Sequence, residues 1–174
     1  ANLIPASTPP QSQDARILAI AAEHVRRHGI ARTTVVSVAR EAGMTHANVY
    51  RYFPSKAALA DAVTADWLKP LEAELAQVAD APDPADDKLE RMLLAIASTQ
   101  RDKLEADPNL FDLYVAAHEE NRVVSRKHRQ RVRMLVERVI EEGVGAEVFT
   151  LRRPEKGVTL VLDAVFRFTH PPAV

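Results

Sequence analysis

Residues 35–53 read VVSVAREAGMTHANVYRYF, and this stretch decides the fold expected for the N-terminal part of the chain. Apolar residues recur at helical spacing on both sides of Gly43, a residue suited to the positive φ of a tight turn. Ala39 is small enough for a second helix to cross closely over the first. The apolar side chains that would pin the two helices together are Val38, Ala42, Met44, Val49 and, in part, Tyr52. The stretch therefore predicts a helix-turn-helix.

The second helix of this unit should expose the residues that do not pack inward. Thr45 is a suitable N-cap, and Pro54 ends the helix near Phe53. The N-terminal residues of such a helix lie at base edges in the major groove of DNA. Lys56 lies at the start of the next helix. Its ammonium group and the backbone N–H groups of that helix end are together suited to a phosphate. With Met44, Val49 and Phe53 turned inward, the outward positions are Thr45, His46, Ala47, Asn48, Tyr50 and Arg51.

The charge distribution favours a polyanionic partner for the N-terminal part alone. The whole chain of 174 residues has a formal net charge of −1. Up to Ala60 it carries seven Lys and Arg against three Asp and Glu, and beyond that point 16 against 21. A net charge of +4 is thus followed by one of −5.

Composition excludes several other classes of protein. The sequence has no cysteine, which rules out disulfides and thiolate chemistry. No apolar run approaches the length of a membrane span, and ANLIPASTPPQSQ at the N-terminus lacks the features of a signal peptide. We therefore expect a cytoplasmic protein without a cofactor, whose first residues form a frayed lead-in.

Helical periodicity continues along the rest of the chain, and two-residue alternation is scarce. The first helix should begin near 12–14 and end at Gly29, and Thr33 or Thr34 should cap the second. A long fourth helix should run from Ser55 to about Ala79, with a kink at Pro70. Four further helices are predicted near 86–106, 110–119, 121–142 and 155–170. The prediction is an all-α fold with a lead-in at 1–13, a three-helix domain at 14–60 and a helical bundle at 61–174.

The stretch TTVVSVAREAGMTHANVYRYFPSKAAL, residues 33–59, resembles the N-terminal DNA-binding domain of the bacterial TetR (tetracycline-repressor) family. Thr34 opens the second helix, Ala42 and Gly43 mark the turn, and the run Tyr-x-x-Phe-x-x-Lys ends the motif at Lys56. The resemblance implies a ligand-responsive transcriptional regulator and not an enzyme. Such a protein is most often a repressor that binds a near-palindromic operator as a homodimer and is released by a small molecule.

The resemblance also implies roles for single residues. Thr34, Tyr50 and Lys56 would hold phosphates, and the residues that would face bases or flanking phosphates are Thr45, His46, Asn48 and Arg51. Ala47 stands where the family often has Gly. His46 stands where Lys is frequent, which weakens a phosphate or guanine contact and adds sensitivity to pH near neutrality.

The helical body offers candidates for a ligand pocket, which must be partly apolar with a few placed polar groups. They are Trp67, Met92, Ile96, Phe111, Tyr114, His118 and Phe166. Tyr114 and His118 lie one turn apart on one helical face, and both carry polar groups. The same side chains equally suit an ordinary helical core. His118, Glu119 and His170 lack the close spacing of metal ligands, so we predict no metal site.

The C-terminal part of the sequence bears on the oligomeric state. The eighth helix is apolar enough to be buried on two sides, one against the body and one against a second copy of the chain. Family members usually carry a further helix that completes the dimer bundle. The sequence ends at Val174, so either the chain is short or a further segment follows.

Two other functions stay open on the sequence alone. An architectural DNA binder that senses nothing would have a solid core in place of a pocket. A helical-bundle enzyme with a vestigial head is the weaker alternative, because paired carboxylates, a nucleophile motif and a Gly-rich phosphate loop are all missing. The basic run RVVSRKHRQRVR, residues 122–133, indicates a solvated or salt-bridged helix face rather than a second nucleic-acid patch.

Overall fold

The computed structural model describes residues 12–149, 159 and 161–163, and every regular element in these residues is helical. The predicted lead-in up to residue 11 and most of the predicted eighth helix, including Phe166 and His170, lie outside the described residues. Thr159 and residues 161–163 are helical. The all-α fold class is confirmed.

Seven α-helices and one 3₁₀ turn make up residues 12–149. The 3₁₀ turn, Ile30–Arg32, was not expected from the sequence. The helices are α1 (Gln13–His28), α2 (Val35–Ala42), α3 (His46–Tyr52), α4 (Lys56–Asp80), α5 (Ala85–Ala106), α6 (Pro108–Glu119) and α7 (Val123–Gly145). The chain divides into two compact units between Val63 and Thr64, a position inside α4. We call the first unit the head and the second the body.

Local chemistry explains the ends of the helices in the head. The Thr34 side chain accepts a hydrogen bond from the Ser37 N–H and completes a capping box, so Thr34 and not Thr33 begins α2. Thr45 caps α3 by accepting from the Asn48 N–H, and Ser55 caps α4 by accepting from the Ala58 N–H. These three caps were predicted as N-terminal signals and are confirmed.

Gly43 makes the turn between α2 and α3. Its φ of 66° lies in the left-handed region. The Gly43 N–H donates to the Arg40 carbonyl and the Met44 N–H donates to the Ala39 carbonyl, which together form a Schellman motif. Arg16 of α1 adds a hydrogen bond to the Ala42 carbonyl at 3.0 Å. The turn therefore has the backbone geometry for which a glycine was predicted.

The core of the head joins α1, α2, α3 and the start of α4. Its fully buried apolar side chains are Ile17, Ala21, Val25, Val38, Ala39, Val49, Leu59 and Val63. Burying each larger member stabilises the fold by about 1.5–3 kcal/mol. His24 of α1 is also buried, and this burial lowers the pKa of its imidazole. Tyr52 is less buried than predicted, because it is 42% exposed and its hydroxyl reaches only Gln13 at 3.4 Å.

The core of the body joins α4, α5 and α7. Its buried side chains include Leu75, Met92, Ile96, Val136 and Val139. Leu162, from the short described part of the predicted eighth helix, belongs to the same core.

Among the described residues of the body, one charged side chain is buried beside this core. Lys88 is 3% exposed, and its ammonium donates to the Ala79 carbonyl at 3.1 Å and to the Glu142 carboxylate at 3.0 and 3.1 Å. The buried ammonium is therefore hydrogen-bonded and paired with a carboxylate, as a buried charge requires.

Candidate functional site

The outward face of α3 is the first candidate site. Val49 is fully buried and Phe53 is 9% exposed, so these two side chains anchor the helix. Asn48 is half-buried. The exposed residues of this face are Thr45, His46, Ala47, Tyr50 and Arg51. The sequence placed all six residues on this face, and the structure leaves all of them at least partly accessible.

Thr34 is exposed and its side chain already caps α2. Its oxygen accepts from the Ser37 N–H at 3.0 Å. The cap uses a lone pair, whereas the hydroxyl hydrogen makes only a long contact of 3.2 Å to the Ser37 hydroxyl. That hydrogen can turn to an external acceptor without breaking the cap.

Lys56 is the first residue of α4 and is exposed. The amides of a first helical turn have no partners within the helix, and the helix dipole favours an anion there. An ammonium group at such a helix end is suited to a phosphate.

The basic residues of the head differ in how they are engaged. Arg26 and Arg27 contact the Glu23 carboxylate at 2.6 and 3.4 Å, and Arg27 also contacts Glu41 at 3.3 Å. Arg51 is exposed on α3, as Lys56 is at the start of α4. The positive charge at α3 and the start of α4 is thus presented outward.

A small cavity in the body is the second candidate site. Its walls are formed by Trp67, Leu68, Leu71, Thr99, Gln100, Lys103, Phe111, Tyr114 and His128. The space open to the centre of a water molecule is about 10 Å³, which is room for about one water. These residues come from α4, α5, α6 and α7.

Three aromatic rings form one wall of the cavity. Trp67, Phe111 and Tyr114 pack in tilted and edge-to-face pairs, with ring centroids 6.2–6.3 Å apart. The Lys103 ammonium lies 4.0 Å from the centre of a Trp67 ring and donates to the Trp67 carbonyl. Burial lowers the pKa of Lys103. The wall therefore combines an apolar surface with one cationic group.

Three of the residues that line the cavity have buried polar atoms without a protein partner. They are Gln100 Oε1, the Tyr114 hydroxyl and His128 Nδ1. Glu72 Oε1 is 3.6 Å from His128 Nδ1, beyond hydrogen-bond distance. Burial, assisted by Lys103 and Arg129, lowers the pKa of His128 to about 4, so its imidazole is neutral at pH 7 and this contact is not an ion pair. Unpaired buried polar atoms are costly, and a bound polar molecule would satisfy them.

The structure sorts the predicted ligand residues into three groups. Trp67, Phe111 and Tyr114 meet in the cavity wall. Met92 and Ile96 are instead fully buried in the core of the body and are not among the residues that line the cavity. His118 packs against Tyr114 with ring centroids 6.4 Å apart. The seventh candidate, Phe166, lies outside the described residues.

Sequence reasoning missed Lys103, Gln100 and His128. The last of these lies inside the basic run 122–133, where a polar helix face was predicted. The arginines of that run contact the chain itself: Arg129 meets His118 at 2.8 Å and Asn121 at 2.9 Å, and Arg133 donates to Thr159 at 2.9 Å. A solvated or salt-bridged face was predicted for this run, and its arginines instead make hydrogen bonds to His118, Asn121 and Thr159. The run also carries one buried histidine.

Comparisons with known proteins match both parts of the chain. Residues 17–63 match the family model described as bacterial regulatory proteins, tetR family. Residues 85–174 match the model of a tetracyclin repressor-like C-terminal domain, so the second match alone spans just over half of the sequence. The chain belongs to the TetR family. The resemblance inferred from residues 33–59 is confirmed, and the chain is a DNA-binding transcription regulator by family.

Solved structures of transcriptional regulators share this fold. A regulator of the TetR/AcrR family from Thermobifida fusca has a TM-score of 0.71 at 20% identity, with 93% of this chain and 87% of that chain covered. PfmR from Thermus thermophilus has a TM-score of 0.61 at 23% identity, with 91% and 89% covered. The ketosteroid transcriptional regulator KstR2 of Mycobacterium tuberculosis has a TM-score of 0.57 at 18% identity, with 95% and 86% covered. None of the curated proteins matches the sequence. Among the described helices, none is long and apolar enough to cross a membrane.

Proposed function

We propose that this TetR-family regulator is a ligand-released repressor that binds a near-palindromic operator as a homodimer. The observation that carries the proposal is the short α3 with an accessible polar face, which follows the Gly43 turn. Thr34 caps the helix before that turn, and Lys56 begins the helix after α3. A helix presented in this way is suited to the major groove.

The contacts to DNA divide into two kinds. Thr34, Tyr50 and Lys56 bind phosphates, because they offer two hydroxyl donors and an ammonium group at the start of α4. The residues that face base edges or flanking phosphates are Thr45, His46, Ala47, Asn48 and Arg51. Arg and Asn are the residue types that make bidentate contacts to guanine and adenine, respectively.

A second copy of the chain is needed for tight specific binding. One α3 has only seven residues and can reach only a few base pairs, whereas two copies read two half-sites. Arg133 of α7 contacts Thr159, and Leu162 packs in the core of the body, so the described part of the predicted eighth helix lies against α7. Met134 of α7 is 55% exposed and adds apolar surface. We propose this region as part of the dimer interface.

The effector site is the cavity of the body. Its aromatic wall and unpartnered polar atoms suit a small molecule that is flat and apolar with polar substituents. The cavity must enlarge on binding, because it has room for about one water molecule. Trp67, Leu68 and Leu71 belong to α4, and the same helix begins at Lys56, so a shift at the cavity acts on a helix that carries a DNA contact.

The small volume of the cavity favours a second candidate function, that of a DNA-binding protein without an effector. The two functions differ in their response to small molecules. A compound that raises the melting temperature of the chain and lowers its operator affinity supports the repressor. A chain that binds its operator but responds to no member of a broad library of small aromatic compounds supports the second function.

Selection of bound sequences from random double-stranded DNA tests the proposed DNA binding. A repeated half-site with a fixed spacing is expected. The phosphate contacts are tested by Lys56→Ala, with Lys69→Ala as the matched control, since the Lys69 side chain is 70% exposed on the part of α4 in the body. The slope of log K against log salt is negative, and each lost phosphate contact makes it less steep by about 0.9, or about 1.8 for a dimer. Equal slopes for the two variants would refute the role of Lys56.

A further inference from the structure

Two histidines and a glutamate meet in the head on the α1 and α2 helices. His24 and His28 lie one turn apart on α1, and their ring centroids are 4.7 Å apart. Glu41 lies on α2, with its Oε1 atom 3.6 Å from His24 Nε2. One donor atom from each of the three side chains lies within 4.8 Å of the other two. His24 is buried, whereas His28 and Glu41 are exposed.

The hydrogen bonds of Thr33 determine which ring nitrogen of His24 carries the proton. Thr33 is fully buried, and its hydroxyl donates to the Gly29 carbonyl at 2.9 Å. The Thr33 oxygen lies 2.9 Å from His24 Nδ1 and has no second hydrogen to give, so Nδ1–H donates to it. In the neutral imidazole, Nε2 therefore carries the lone pair. That lone pair and the Glu41 carboxylate face each other with no proton between them.

A cation between these groups resolves the conflict. We propose that His24 Nε2, His28 and Glu41 bind one divalent transition-metal ion of the zinc class, with water completing its coordination. Two imidazoles and one carboxylate are a ligand set that zinc takes with an open fourth position. Imidazole ligands select zinc, nickel, cobalt or copper over magnesium and calcium.

The dimensions of the cluster suit this ion. Zinc binds nitrogen and carboxylate oxygen at about 2.0–2.2 Å, which sets neighbouring donors in a tetrahedron about 3.4 Å apart. His24 Nε2 and Glu41 Oε1 are already at 3.6 Å. The exposed side chains of His28 and Glu41 can rotate to close the remaining distance. Thr33 orients His24 through its other nitrogen, the arrangement usual for a histidine that binds a metal.

The charges around the cluster set the strength of the site. Arg27 lies 3.3 Å from Glu41 Oε2, the carboxylate oxygen that is not directed at His24, and also contacts Glu23 at 3.4 Å. Glu41 can therefore bind a metal through Oε1 and keep its contact with Arg27 through Oε2. The positive charge of Arg27 opposes a second cation, so we expect weaker binding than at a closed structural zinc site. A bound ion would link α1 to α2 and stabilise the head by mass action.

Calorimetric titration of the chelator-treated full chain with Zn²⁺ tests the site. We expect one ion per chain, a higher melting temperature with zinc, and loss of both effects in His28→Ala and Glu41→Gln. His46→Ala is the matched control, because it removes an exposed histidine of the head outside the cluster. Thr33→Val should lower the zinc affinity by about 10–100-fold, as loss of a partner that orients a ligand does.

Two results would overturn the site. One is the absence of zinc binding in the unmodified chain, in which case His24 and Glu41 form only a proton-dependent ion pair. The other is equal zinc binding by the unmodified chain and His28→Ala, which would place the ion elsewhere. Neither result bears on DNA binding, so the site and the proposed function stand or fall separately.

Discussion

Protonation of His128 should make the stability of the chain depend on pH. In the folded chain its pKa is about 4, against an ordinary value of 6.5. Between these two values the unfolded chain binds a proton on His128 that the folded chain does not. The contribution of His128 to stability is therefore fully present above pH 6.5 and is lost as the pH falls toward about 4.

The size of the effect follows from the two pKa values. One pKa unit corresponds to about 1.4 kcal/mol, so the loss has a slope of at most about 1.4 kcal/mol per pH unit and approaches about 3 kcal/mol at the bottom of the window. Glu72, whose Oε1 atom is 3.6 Å away, acts in the opposite sense. Burial raises the pKa of Glu72, so the folded chain holds that proton more tightly than the unfolded chain.

The contribution of His128 is measured by comparing the unmodified chain with His128→Gln. Urea unfolding of each is monitored by circular dichroism at pH values from about 4 to above 6.5. Glutamine is polar but does not titrate. We expect the free energy of unfolding of the unmodified chain, minus that of the variant, to be constant above pH 6.5 and to fall by about 3 kcal/mol toward pH 4. The same difference for Glu72→Gln should rise as the pH falls. A flat difference for His128→Gln would refute the assignment of a neutral buried imidazole.

Three further predictions concern single side chains and are checked by urea unfolding. Gly43→Ala should lower the free energy of unfolding by about 1–2 kcal/mol. The added Cβ would meet no atom within 4 Å, so the loss comes from the left-handed φ alone. Gly43→Asn should lose less, and equal losses for the two variants would contradict this origin. Lys88→Met should lower the free energy of unfolding by about 1–2 kcal/mol, because the Glu142 side chain is 44% exposed and can be hydrated once the ammonium is gone. Lys88→Ala should lower it further, because that variant also leaves a cavity. Gly143→Ala should cost about 1–3 kcal/mol, because the new Cβ would overlap the Phe149 ring, and a neutral result would show that this ring moves freely.

The helices of the head could be predicted from the sequence because their signals are local. Thr34, Thr45 and Ser55 each bind a backbone N–H three residues along the chain. Gly43 has the φ that its position in the turn demands. Such contacts involve only neighbours in sequence, so the residue types alone indicate them. Helix α5 begins at Ala85, before its predicted start near residue 86. It has no side-chain cap, so no local signal marked its first residue.

The candidate sites differ in how far the sequence could reach them. The accessible face of α3 follows from helical periodicity, because Val49 and Phe53 point inward and their neighbours do not. The 3₁₀ turn that brings Thr33 to His24 carries no pattern of this kind. The cluster of His24, His28 and Glu41 was missed, although the two histidines stand four residues apart, because Glu41 comes from another helix.

By itself the sequence determined the helical class, the positions of the caps and of the glycine turn, and the face of α3 that stays polar. Tertiary structure alone decided that Met92 and Ile96 enter the core of the body while Lys103 and His128 line its cavity. The physical reason is that helical periodicity tells which side of a helix is buried, but not which side chains of other helices it meets there. The pKa of a buried histidine and the partners of a buried hydroxyl depend on those neighbours.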